Sequence, residues 1–196
     1  LRAGTGIIAD RWALDLRLSN IGSNGYIERA RARMNSYYMQ GAYYGNNTTV
    51  RLISYSGMEN TYHAWNYASK EDMSKYGRRY NSCGKMFTDE NGKNHYYDDQ
   101  TDNYIQHNVQ LLADHHFNDA LSLNIGLHYT KGDGYYQEYK IGRTLMEYGL
   151  QPFVQNGEEV AWSDLVRKKA MGNGFGGGIF SVSYKNQRLS TALGGA

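Results

Sequence analysis

The connections between the strand-like stretches of this chain alternate short and long from one end to the other. The tight ones are "GNN" at 45–47, "FNDA" at 117–120 and "KNQ" at 185–187. They carry Gly, Asn and Asp where hairpin turns need them. The long ones cover residues 20–32, 58–103 and 131–174. Loops beyond about 15 residues are uncommon in compact domains. A soluble sheet has no reason to gather every long connection at one end. An up-and-down barrel in an outer membrane does, with short turns on one side and long loops on the other.

The strands between these connections have two unlike faces. In "LSLNIGLHYT" (121–130), Leu121, Leu123, Ile125, Leu127 and Tyr129 alternate with Ser122, Asn124, Gly126, His128 and Thr130. The period is two, so one face is apolar and the other polar. In a barrel, Leu123, Ile125 and Leu127 face lipid, while Asn124, Gly126 and His128 face the lumen. The same reading predicts strands over 9–19, 33–44, 48–57, 104–116 and 175–184, and a last one starting near Arg188. That makes about seven, antiparallel and sequential, with turns near 46, 118 and 186 at one end.

Composition narrows the class. Charged residues make up 20% and the formal net charge is +2, so there is no basic field for nucleic acid. No apolar run approaches the roughly 20 residues of a transmembrane helix. That excludes helical spans but not barrels, whose apolar residues are diluted by alternation. The chain has 19 Tyr, 23 Gly and one Pro. Tyr suits surfaces where one end of the ring is apolar and the other wet, in a membrane girdle or in a sugar-binding protein. A single Cys, Cys83, permits no internal disulfide. The opening "LRAGTGIIADRW" has no signal-peptide pattern, and "RLSTALGGA" reads as a strand cut short, so the chain reads as a piece of something longer.

The long connections carry the candidate chemistry. In "TYHAWNYA" (61–68), Tyr62, Trp65 and Tyr67 offer aromatic faces to a large ligand, or form a local loop core. Ser69 followed by Asp72 predicts a capped helical turn over 70–78, and Asn91-Gly92 predicts a projecting hairpin. Asp89, Glu90, Asp98, Asp99 and Asp102 form an acidic cluster. Asp98, Asp99 and Asp102 are a weak Ca²⁺ candidate, since hard cations take oxygen ligands. The spacing fails the EF-hand pattern, and a solvated loop is favoured. Gly132 and Gly134 free the backbone at a strand exit beside Tyr135, Tyr136 and Tyr139, which make a girdle or a ligand platform, with the girdle favoured. Ser163 before "DLVRKK" predicts a second short helix. His115 and His116 are adjacent in a strand and point to opposite faces, so they cannot simply chelate one metal. There is no G-x-S-x-G and no ordered triad. "GFGGG" (174–178) lacks the Lys of a phosphate loop and fits a strand that must bend. Nothing points to an enzyme or a cofactor.

Several stretches resemble one family. "DRWALDLRLSNIGSNGYIERA", "HAWNYA", "YGRRYN", "YYDDQTDNYIQHNVQLL", "LHYTKGDGYYQEYK" and "STALGGA" are similar to barrel segments of TonB-dependent outer-membrane receptors of the Bacteroidetes type. The resemblance runs over nearly the whole chain. It implies an all-β fold, part of a 22-stranded antiparallel transmembrane β-barrel, with residues 1–196 as a partial barrel domain and the plug domain elsewhere. It implies active import of a scarce large solute, a ferric siderophore first and a cobalamin next. The partners it implies are outer-membrane lipid, a small-molecule or metal-chelate substrate and, through the plug, the TonB-ExbB-ExbD complex. The alternative from another class is a soluble, Tyr-rich carbohydrate-binding β-sandwich.

Overall fold

The computed structural model describes residues 1–196. In chain order the elements are β1 (Arg2–Ile8), β2 (Trp12–Ser23), β3 (Ala32–Tyr44), β4 (Thr48–Tyr62), α1 (Lys70–Tyr76), β5 (Lys85–Thr88), β6 (Asn94–Tyr96), β7 (Thr101–His116), β8 (Leu121–Thr144), β9 (Phe153–Gln155), β10 (Glu158–Val160), β11 (Trp162–Lys185) and β12 (Ser190–Gly195). Eight of the strands form one antiparallel sheet in the order β1-β2-β3-β4-β7-β8-β11-β12. Each main strand pairs with the next one along the chain, as in an up-and-down barrel. The connections at 45–47, 117–120 and 186–189 lie at one end, together with the turn at 9–11. The long connections, 24–31, 63–100 and 145–161, lie at the other. No helix is long and apolar enough to cross a membrane, which has no bearing on crossing by strands.

Register gives each face its character. Paired residues in neighbouring strands share a face, and one row reads Leu14, Gly41, Leu52, Leu111, Leu127 and Gly178. The next row toward the short turns reads Trp12, Tyr43, Val50, Ala113, Ile125 and Phe180. The opposite face carries Asp15, Gln40, Ile53, Gln110, His128 and Gly177, again as one paired row. Leu123, Ile125 and Leu127 thus share the apolar face, and Asn124, Gly126 and His128 the polar one.

Three sequence expectations change. The sheet has eight strands, not about seven: Gly4 and Gly6 break the apolar pattern of β1, so it does not announce itself as a strand. It is joined to β2 by Ala9 and Asp10, both at positive φ (48° and 55°), as a two-residue hairpin turn requires. The long connection at 131–174 is instead mostly strand, since β8 runs on to Thr144 and β11 begins at Trp162. The helix expected after Ser163 is absent for the same reason: "SDLVRKKA" pairs with β8, and the ladder overrides the local cap signal. Asp164 does other work there. At the register shift between Ser163 and Leu165, its carboxylate accepts from the Gly142 N–H at 2.7 Å and the Tyr139 hydroxyl at 2.8 Å.

The 63–100 connection is an ordered layer with its own small core. Ser69 Oγ accepts from the Asp72 N–H at 3.0 Å, and Asp72 accepts in return from the Ser69 N–H at 3.2 Å, closing the capping box that starts α1. β5 and β6 form the hairpin expected around Asn91-Gly92. Its turn is tied by Asp89, which accepts from the N–H groups of Asn91 and Lys93 and bonds His95 at 2.8 Å. At the centre of the layer lies Asn81, 1% exposed. Its amide donates to Glu28 O (3.0 Å) and His63 O (2.9 Å) and accepts from the Cys83 N–H (3.0 Å). One side chain therefore holds the 24–31 connection, the end of β4 and the 63–100 layer together. Each partner orphaned in a buried site costs about 1–3 kcal/mol. Asn81→Ala is expected to lower local stability of this layer by about 2–4 kcal/mol on that basis. Hydrogen exchange on the full-length protein should show faster exchange over residues 63–100 with unchanged protection of the paired strands.

Candidate ligand-binding site at the long-loop end

β8 and β11 extend beyond their neighbours, and their alternation continues. Tyr136, Glu138 and Lys140 keep the polar-face parity of Thr130. Arg167 and Lys169 pair opposite Glu138 and Tyr136 on β11. The face that carries Asn124 and His128 lower down therefore becomes, at the loop end, a surface of aromatic and charged groups.

Against it sits an aromatic cluster. The rings of His63 and Trp65 lie 3.8 Å apart between centroids, and Trp65 meets Tyr136 edge-on at 5.9 Å. The Lys169 ammonium lies 5.7 Å from the Tyr136 ring centre, within cation–π range. Trp65 keeps about half its surface exposed, so one face of the indole remains available. His63 is 3% exposed, and neither ring nitrogen has a hydrogen-bond partner. Beside the cluster, Glu138 is buried and bridged by Lys140 (3.1 Å) and Arg167. Burial pushes the Glu138 carboxyl up, but the two cations outweigh it and hold it below the usual carboxylate range.

The aromatic residues singled out in the sequence separate. Trp65 and Tyr136 come together. Tyr62 is buried in the loop core, where its hydroxyl donates to Tyr97 O (3.0 Å) and Cys83 O (3.2 Å). Tyr67 is 99% exposed and stands free at the loop surface. Tyr135 projects from the apolar side, under the Lys168 ammonium at 3.5 Å. As for calcium, no group of three or more His, Cys, Asp or Glu is placed to hold a metal ion. Asp102 lies in the ladder of β7, paired with Tyr136, which keeps it from converging with Asp98 and Asp99. Sequence reading missed His63, Glu138, Lys140 and Arg167. The signal for the middle two was present: the period of two persists through "YYQEYK".

No family model matches this sequence, and no curated protein does. Two solved structures resemble the fold, the closed and open crystal forms of the ferric-catecholate import receptor Fiu from Escherichia coli K12. The TM-scores are 0.61 and 0.60, each at 11% identity over 93% of this chain. The chain spans 26% and 29% of those two chains. At that identity the shared property is the fold. The class is an all-β, up-and-down antiparallel sheet like a portion of a TonB-dependent receptor barrel, and its structural neighbours are transport receptors.

His63 gives this region a pH dependence. Burial drives its imidazole below the ordinary value of 6.5, outweighing the carboxylates of Asp102 and Glu138, which favour the cation; Lys140 opposes it. In the unfolded loop the ring binds a proton near pH 6.5, whereas in the folded loop it does so only at lower pH. Stability is therefore full above pH 6.5 and falls as pH drops through the window beneath it. Hydrogen exchange over residues 61–66 is expected to accelerate between pH 7.5 and 5 after correction for intrinsic rates, and His63→Phe should flatten that dependence.

Proposed function

We propose that this chain is part of the barrel of a TonB-dependent outer-membrane importer, of the Bacteroidetes type, that takes up a scarce large solute. A ferric siderophore is the first candidate and a cobalamin the second. The observation that carries this reading is the two-faced sheet with all its short turns at one end. On the apolar face of β8 the band from Leu121 to Tyr129 spans nine residues, about 30 Å along the strand. Tilted by about 40°, it stands close to the roughly 25 Å apolar belt of an outer-membrane barrel. On the same face Trp12 and Tyr43 are in contact (4.8 Å between ring centres) in the paired row of Ile125, and Tyr129 closes the band on the loop side, with Tyr135 beyond it.

The carbohydrate-binding sandwich is not favoured. A sandwich buries its apolar face against a second sheet. Here the other two sheets are two-stranded hairpins in the loops, and Trp12, Leu127 and Leu193 on the apolar face remain exposed. In a bilayer, β1 and β12 need further strands along both open edges, because hydrocarbon satisfies no backbone group. The plug and the TonB-ExbB-ExbD complex that would act through it belong to the rest of such a receptor.

In this reading the ligand meets the loop end. Trp65 and Tyr136 are the proposed contacts, with Tyr67 free to close over bound solute. Tyr62 supports the loop from beneath, and Tyr135 sits at the membrane boundary. Trp65→Ala in the full receptor is expected to weaken solute binding by about 1–3 kcal/mol, the range for an interface aromatic. Affinity of the purified receptor for a ferric siderophore panel and cobalamin measures this, with heat-modifiability on gels as the folding control. Unchanged affinity in a folded barrel would assign these rings to loop packing. The membrane assignment has its own test: Ile125→Arg should cost about 2–4 kcal/mol near the midplane and Asn124→Arg much less. Equal costs in a vesicle-folding titration would contradict it.

A further inference from the structure

Beside the aromatic cluster, a cleft of about 210 Å³ opens between the 63–100 layer and the extension of β8. Trp65, Lys85, Gln100, Glu138, Lys140 and Arg143 line it. Its chemistry is one-sided. Its lining holds three cations, Lys85, Lys140 and Arg143, and a single carboxylate, which Lys140 and Arg167 already bridge. Lys85 has no ion-pair partner at all, and Arg143 has only the half-exposed Glu147 at 3.8 Å.

The neutral groups add donors in the same direction. Gln100 spends its carbonyl oxygen on the Tyr139 N–H at 2.7 Å, which leaves its NH₂ to donate. Ser82, also on the wall, accepts from the Asn66 amide at 3.0 Å, which leaves its hydroxyl hydrogen free. A pocket with three cations and unspent donors, whose single carboxylate is already ion-paired, is complementary to a group that only accepts. An oxyanion is such a group, and charge-assisted bonds from Lys and Arg are the strong ones.

We propose that this cleft is a subsite for a small oxyanionic group, a phosphate or a carboxylate, carried on a solute whose apolar part rests on Trp65. The proposal rests on reading the loop end as the ligand entrance, and it adds a chemical requirement: the solute presents a compact negative group at its edge. The two ammonium groups and the Arg143 fork supply the charge, Gln100 and Ser82 supply neutral donors, and Trp65 forms the rim.

Calorimetry on the detergent-purified full-length receptor tests it, with inorganic phosphate and acetate as probes and sodium chloride at matched ionic strength as control. Saturable binding of phosphate, acetate or both above the chloride control is the expected result; whichever binds identifies the group. Lys85→Gln and Arg143→Gln should each weaken it about tenfold, as loss of a charge-assisted bond does. Lys85→Arg should retain it, which separates loss of charge from loss of folding. Binding no stronger than chloride, or unchanged in both charge-removing variants, would overturn the proposal. The two readings fail separately. A receptor that captures its solute but ignores both probes loses only this subsite. One that binds phosphate at Lys85 but captures no siderophore or cobalamin loses only the importer reading.

Discussion

The inter-strand backbone ladder is the interaction on which this molecule depends. Of its 122 backbone hydrogen bonds, 97 lie within the strands and helices, whereas only 15 of 196 residues are buried. A soluble domain of this size draws its stability chiefly from a packed interior. Here neither sheet face is covered by another layer along most of its length. The ladder fixes register, and register sorts every side chain to one face or the other. A slip of one residue anywhere would exchange the apolar row at Leu52, Leu111 and Leu127 for the polar one. The strong alternation of β2, β7 and β8 makes that slip costly wherever one face meets an apolar medium.

The unusual joint abundance of Gly and Tyr follows from the same ladder. Neighbouring strands place tyrosines directly over glycines. On the polar face Tyr104 pairs with Gly134 and lies over Gly132; a Cβ on Gly134 would come within 2.6 Å of the Tyr104 ring. On the apolar face Tyr129 covers β11, where a Cβ on Gly174 or Gly176 would meet it at 3.3 and 3.2 Å. Each ring fills the space that its partner glycine leaves, and the cross-strand contact replaces what a side chain on the glycine strand would have supplied. "GFGGG" and "KGDG" therefore lie within long strands, although read alone they look like breakers.

That explains what was legible in the sequence. Hairpin turns and the alternating strand centres obey local rules, so β3, β4, β7 and the lower part of β8 were readable, as were the capping box at Ser69 and the hairpin at Asn91-Gly92. The upper halves of β8 and β11 were not, because glycines and charges there obey a rule that spans two strands. Ser163 and Asp164 look like a helix start until the partner strand supplies Gly142 and Tyr139 for the carboxylate. The same limit applies to the candidate site. Trp65 and Tyr136 lie far apart in sequence and could be named only separately. His63 gave no local sign that the chain would bury it against both.

The long-loop end acquires its chemistry from geometry that the strands impose. Because β8 and β11 continue past β7, the polar face leaves the shelter of the sheet and meets the 63–100 layer. Gln100 bonds to the backbone of Tyr139 on the β8 edge that β7 no longer covers, so the layer is seated by a strand hydrogen bond that would otherwise be orphaned. Asn81 fixes the layer internally, and Arg29 ties in the 24–31 connection by donating to Asn81 O while lying 3.3 Å above the Tyr96 ring. The loop is therefore tied to β8, to the 24–31 connection and to the end of β4 by buried and part-buried polar bonds, and Trp65 is carried on it 5.9 Å from Tyr136 between ring centres. In the proposed importer, a solute meeting this ordered surface need not order the long connection, so little of the interaction energy goes into fixing the loop.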